Sequence, residues 1–228
     1  MTDAENKMSE ETAYELAEGT DGNQEKLGIA ELIYGTLFSP TATFRRISHD
    51  PPLFYGFIVF VAVVFLTSVV YTLVPPDISE IPSPLAGVFA QAKPLIGIAG
   101  AMFAFIGWFI QGGVLHLFAE ILGGKGRAIG VLTVIALSNV PRVLVIPIQV
   151  ISYFMAGSFI GSFLTVASTL IVFFWEIVLT VIGLREVHQF STGRAVGALL
   201  IPLGLILLII VILTIIVIGV AANLIPEV

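Results

Sequence analysis

Five apolar stretches, at about 56 to 74, 95 to 122, 130 to 154, 158 to 184 and 195 to 224, dominate this 228-residue chain. Each is close to or beyond the ~20 residues an α-helix needs to cross the hydrocarbon core of a bilayer. Within lipid the backbone must satisfy its own hydrogen bonds, which leaves helices or a closed barrel. A barrel alternates apolar and polar residues in segments of ~10, whereas these runs are apolar on every side. The pattern therefore predicts an all-α membrane protein built as a five-span helical bundle. The breaks agree: Pro75-Pro76, Gly123-Gly124, Ala156-Gly157 and a polar link at 185 to 194 separate the runs. Charged residues make up only 11% of the chain, against about 25% in a soluble domain. Little sequence is left for a separate soluble domain.

The flanks carry what the spans exclude. Residues 1 to 26 hold eight of the sixteen acids and almost no large apolar side chains, so ordering them would cost entropy with nothing buried in return. This stretch reads as a disordered acidic tail, and without a basic n-region it does not read as a cleavable signal. Residues 27 to 54 form an amphipathic segment in which Leu27, Ile29, Leu32, Ile33 and Phe38 recur at helical intervals. Ser39-Pro40 then opens a second helix that sets Phe44 and Ile47 beside Arg45 and Arg46. Such a segment suits the interface plane, apolar side toward acyl chains. Residues 55 to 225 are the membrane domain.

Loop charge gives direction. Arg45, Arg46, Lys125, Arg127, Arg185 and Arg194 fall on one side of a five-span arrangement and Lys93 on the other. By the positive-inside rule this places the N-terminus in the cytosol and the C-terminus outside or in a lumen.

Ionisable residues within spans are costly, about 2.5 to 3.5 kcal/mol on insertion scales, and mark candidate sites. Four qualify: His116 and Glu120 in the second span, Arg142 in the third and Glu176 in the fourth. His116 and Glu120 are i,i+4 and share a face, so a His-Glu-Glu-Arg cluster between spans two, three and four is geometrically open. Arg142 with Glu176 is the favoured pair, either as an ion pair fixing helix register or as part of a solute or proton pathway. Beside a functional role, Glu120 has the simpler reading of solvation near the headgroups, and His116 that of a neutral hydrogen-bonded histidine.

Pro141 and Pro147 lie inside the third span and form a candidate hinge, or a packing kink, with Ser138 and Asn139 one turn earlier to occupy freed carbonyls. Gly157, Gly161, Thr165 and Ser168, with Ser158 and Ser162 adjacent, make a small-residue stripe on the fourth span suited to close helix packing. Trp108 reads as core. With no cysteine, no His-Glu-x-x-His, no Gly-x-Ser-x-Gly, no P-loop and no dinucleotide fingerprint, the residues assign no catalytic group, no metal and no cofactor. The scattered cations give no reason to expect nucleic acid.

Three segments carry a resemblance: FSPTATFRRISHDPP (38 to 52), LSNVPRVLVIP (137 to 147) and FFWEIVLTVIGLREVHQFSTGRA (173 to 195). Together they resemble the Yip-domain family of membrane proteins, whose eukaryotic founders are the Ypt-interacting proteins, and the likeness covers about residues 30 to 225. It implies five spans with a cytosolic N-terminus, in agreement with the count from hydropathy and charge. Eukaryotic members are tied to Rab-type GTPases and often carry an Asp-Leu-Tyr-Gly-Pro signature. Here the nearest text is Glu31-Leu32-Ile33-Tyr34-Gly35-Thr36, with an inserted residue and no proline, and the compact chain is more like prokaryotic members, which would place it in the cell membrane. The resulting expectation is a non-enzymatic membrane protein that organises membrane or serves as an adaptor, meeting the lipid bilayer and a cytosolic protein through its N-terminal segment. The alternative is a small solute or ion transporter or channel using Arg142, Glu176 and His116.

Overall fold

The computed structural model describes residues 28–73, 83–155 and 157–224; the acidic tail and the Pro75-Pro76 break lie outside the described residues. Among these, every regular element is helical: α1 (Ile29–Phe38), α2 (Pro40–His49), α3 (Leu53–Leu73), α4 (Ser83–Ile121), α5 (Ala128–Ser138), a 3-10 turn (Val140–Leu144), α6 (Val145–Phe154), α7 (Phe159–His188) and α8 (Thr192–Leu224). Five helical stretches are long and apolar enough to cross a membrane: Leu53–Leu73, Pro94–Ile121, Ala128–Phe154, Phe159–His188 and Thr192–Val220. The five-span reading of the sequence stands. Some limits move: α4 begins at Ser83 rather than 95, and α7 runs on through Arg185 and Glu186 to His188, so the polar link shrinks to Gln189–Ser191. Gln189 ends the helix in the left-handed region, at φ 53°.

The third span is the axis of the bundle. Its most apolar window is 61% buried, against 11% for the second span and 0% for the fifth, so α5 touches α3, α4 and α7 while α8 leans on α4 and α7 and turns the rest of its surface outward. An apolar helix that packs so little needs lipid to cover it. The near end of the bundle, which carries α1, α2, the loop at 122–127 and the link at 189–191, holds the core: Leu32, Phe44, Ile47, Val131, Val134, Leu137, Leu179 and Leu184 are buried there. Gly183 allows the close approach of α7 to α5, because a Cβ at that position would overlap the side chain of Val134. Trp108 is part of the same core, stacked on Phe60 at 5.1 Å and donating from Nε1 to the Leu132 carbonyl at 3.0 Å.

The N-terminal segment differs from its sequence reading. Where the pattern suggests acyl chains under Phe44 and Ile47, the structure puts α7 and α5, and both side chains are fully buried along with Leu32 and Thr36 of α1. Pro40 does open α2, although Ser39 makes no side-chain cap. Arg45 and Arg46 remain outside, paired with Glu186 at 3.2 Å and Glu31 at 2.9 Å. The amphipathic pattern is real, and its apolar face is taken by protein.

The third span breaks once, at 139–144. Pro141 has no N–H to continue the ladder, and the chain answers with one 3-10 turn. Asn139 donates its side-chain Nδ2 to the Ile135 carbonyl at 2.7 Å, the acceptor its own backbone N–H would use in a regular helix. Pro147 sits in the first turn of α6, where a missing N–H costs nothing. The two prolines therefore do different things: Pro141 makes the break and Pro147 fits the restart.

Candidate functional site

The four intramembrane candidates do not form one cluster. Glu176 and the near end of α7 at His188 are separated by twelve residues, about 18 Å of helix, and each end collects its own partner. Arg142, on the 3-10 turn created by Pro141, reaches Glu176 with Nε to Oε1 at 2.6 Å and Nη2 to Oε2 at 3.0 Å. His116 and Glu120 stay together at the near end, 3.5 Å apart, with no part in that pair.

Arg142 and Glu176 form the floor of a groove. Its volume is about 940 Å³. The walls come from the far halves of α3, α4, α6 and α7, including Tyr71, Gly97, Gln149, Ser152, Gly161 and Thr165. The floor is unequal: the Glu176 side chain is 14% exposed and that of Arg142 is 54% exposed. A bidentate fork to a carboxylate is the strongest geometry a guanidinium has. The groove thus ends on a fixed pair of opposite charges near the middle of α7.

The small-residue stripe of the fourth span faces this space. Gly157, Gly161, Ser162 and Thr165 of the stripe line the groove, with Thr169 beyond them, while Ser168 is buried away from it and a Cβ on Gly161 would come within 2.6 Å of the Met155 carbonyl oxygen. Ser158 caps α7 by accepting from the Gly161 N–H at 3.1 Å. Helix-to-helix contact along the whole stripe is not what forms. Ser152, opposite on α6, has a buried hydroxyl with no hydrogen-bond partner.

At the near end the structure adds a residue that sequence reasoning passed over. His188 is buried and its ring lies 5.4 Å from that of His116. Nδ1 of His188 accepts from the Gly126 N–H at 3.1 Å, and its carbonyl accepts from the Lys125 N–H at 3.2 Å. The loop around it is glycine by necessity, since a Cβ on Gly124 or Gly126 would meet the imidazole or the Val187 carbonyl at 2.5 to 2.9 Å. Gly123 takes φ +85° to start the turn. The signal in the sequence was Gly123-Gly124-Lys125-Gly126 itself, three glycines in four residues, which read as a break and is a clasp. Nε2 of His188 and Nδ1 of His116 are buried without partners. Among the described residues no three His, Cys, Asp or Glu side chains are grouped to hold a metal.

A comparison with protein families gives a match to the Yip1 domain over residues 34–214. No curated protein and no solved structure gives a significant match. The matched span takes in α2, the broken third span, both charges of the groove floor and the His188 clasp.

Proposed function

The chain belongs to the Yip1-domain family of multi-pass membrane proteins, and from that premise we propose that it acts without catalysis, as an adaptor or organiser of the membrane, displaying its near-end surface in the cytosol. The observation that carries this reading is the seating of α1 and α2. Leu32, Phe44 and Ile47 are fully buried in the bundle core, while Arg45 and Arg46 point outward with side chains 68% and 62% exposed. A helix pair anchored this way is a rigid platform rather than a tether. Loop charge favours the cytosol for this side, where the platform meets Arg185 through Glu186, the carboxylate that Arg45 and Arg185 share.

A small transporter or channel is the rival. Its support is the groove and the Arg142–Glu176 pair, which reach from the far end to the middle. Against it stands the near half, where Val134, Leu137, Leu179 and Leu184 close together below the pair. Flux separates the two readings. The full chain in sealed vesicles, assayed for leak of K⁺, H⁺ and small organic anions, gives the permeability of empty vesicles if the adaptor reading holds. Saturable flux lost in Arg142→Leu would replace it with the transporter reading.

A further inference from the structure

We propose that the groove is a binding site for one phospholipid, which enters from the leaflet at the far end and sets its headgroup phosphate on Arg142. Three separate observations meet there. First, both hydrogen bonds to Glu176 use Nε and Nη2, so the two Nη1 hydrogens of a half-exposed guanidinium stay available to a further anion. Second, Ser152 lines the groove with a side chain more than nine-tenths buried, and its hydroxyl, one rotamer step from the groove, has no protein partner; an orphaned buried hydroxyl costs about 1 to 3 kcal/mol until something bonds it. Third, the walls are mixed in the way an amphiphile requires. Gln149, Thr165 and Thr169 offer polar groups, and Ile96, Val166 and Phe173 offer apolar surface.

Location selects the ligand. The lining residues of α7 run from Gly161 to Glu176, about 22 Å of helix, which exceeds the ~15 Å of one leaflet of the hydrocarbon core and so reaches its centre. Water-soluble solutes meet only the far mouth of such a groove, whereas a lipid can slide its headgroup in from the far interface and keep its chains in the hydrocarbon along the flank. Charge selects the headgroup. Arg142 and Glu176 together are neutral, so the favoured headgroup is itself zwitterionic: a phosphodiester for the guanidinium, and an ammonium whose N–H groups can bond the remaining lone pairs of the carboxylate. Phosphoethanolamine lipids have this composition. The volume suits a headgroup with its glycerol and the first part of a chain, since sites of about 300 to 1,000 Å³ take ligands of this size.

The test is retention of lipid by the purified full chain, followed by native mass spectrometry in mild detergent with dioleoyl-phosphatidylethanolamine as the probe. Parallel arms use inorganic phosphate and chain-free glycerophosphoethanolamine. Two variants are compared: Arg142→Leu with Glu176→Leu, which removes the floor charges as a pair, and Val166→Trp, which fills the groove from an exposed wall position and leaves the charges in place. The expected result is one lipid per chain on the native protein and a fall of about tenfold in apparent affinity in the double variant, the worth of one charge-assisted hydrogen bond. Val166→Trp should lose the lipid while its Tm in lipid-free detergent matches that of the delipidated native chain. Native-like retention in both variants overturns the site. Binding of inorganic phosphate or glycerophosphoethanolamine as tightly as the lipid overturns the lipid as its occupant. Vesicle flux and lipid retention are independent readouts, so failure here leaves the adaptor reading standing.

Discussion

Arg142 and Glu176 are joined by two hydrogen bonds, at 2.6 and 3.0 Å, between the break in the third span and the middle of the fourth. Pro141 is what puts Arg142 in reach, by replacing a turn of α-helix with a 3-10 turn just where the arginine leaves the backbone. Removing one partner strands the other. Arg142→Leu alone is expected to destabilise the protein by about 2 kcal/mol, less than the roughly 3 to 5 kcal/mol of a fully dry pair because the arginine is half exposed to the groove. The double change Arg142→Leu, Glu176→Leu should cost less than the single one. Tm values of the three proteins in the same detergent check this, and additive losses contradict the pairing.

Gly183→Ala tests the closest helix approach. The added Cβ falls on the Val134 side chain, both residues lie in the near-half core, and overpacking of this kind costs about 1 to 3 kcal/mol. A matching Val134→Ala change should recover much of the loss. The comparison of single and double variants by thermal unfolding decides it.

His188→Ala removes the acceptor of the Gly126 N–H and empties the space the glycine loop encloses. An unpaired buried N–H costs about 1 to 3 kcal/mol, and the loss should appear locally as faster amide exchange at Lys125 and Gly126. His188→Asn keeps a short acceptor near the same place and should protect Gly126 better than alanine does.

The helix pair is part of the fold, so truncation has a sharp limit. Removing residues 2–27 should leave Tm unchanged. Phe44→Ala, which empties a fully buried position, should cost about 3 to 5 kcal/mol. Equal tolerance of the two changes would mean that α2 does not belong to the core.

Much of this architecture was legible from residue patterns, because lipid leaves few choices. Length and all-round apolarity require helices, and Gly123-Gly124 and Gly157 fall within a few residues of helix ends, while α4 starts twelve residues ahead of its apolar run. The Arg142–Glu176 pair was legible for the same reason: two charges that deep need each other. What the sequence hid was depth and sidedness. His116 and Glu120 share a helix face with no bearing on Glu176, because 18 Å of α7 stands between the two ends. The small-residue stripe has the spacing of a packing face, but spacing does not say whether a helix or a groove lies opposite. Phe44 and Ile47 show the right periodicity for a lipid interface, and the same periodicity serves a protein neighbour. His188 was hidden by its address, the last turn of a helix beside charged residues, where burial depends on a loop sixty residues earlier.

The adaptor reading turns on whether the near-end surface binds anything. The most direct measurement is capture from native membranes in mild detergent by three forms of the full protein: unchanged, Arg45→Glu with Arg46→Glu, and the chain lacking residues 2–27. Both arginine side chains are exposed, and Glu186, only 12% exposed itself, keeps Arg185 as a partner at 2.7 Å after the reversal, so the charge reversal is expected to cost little of the fold. The account predicts a stoichiometric protein partner on the unchanged chain that is lost on charge reversal at constant Tm. Equal capture by the unchanged and charge-reversed chains, or no stoichiometric partner on any form, would contradict it.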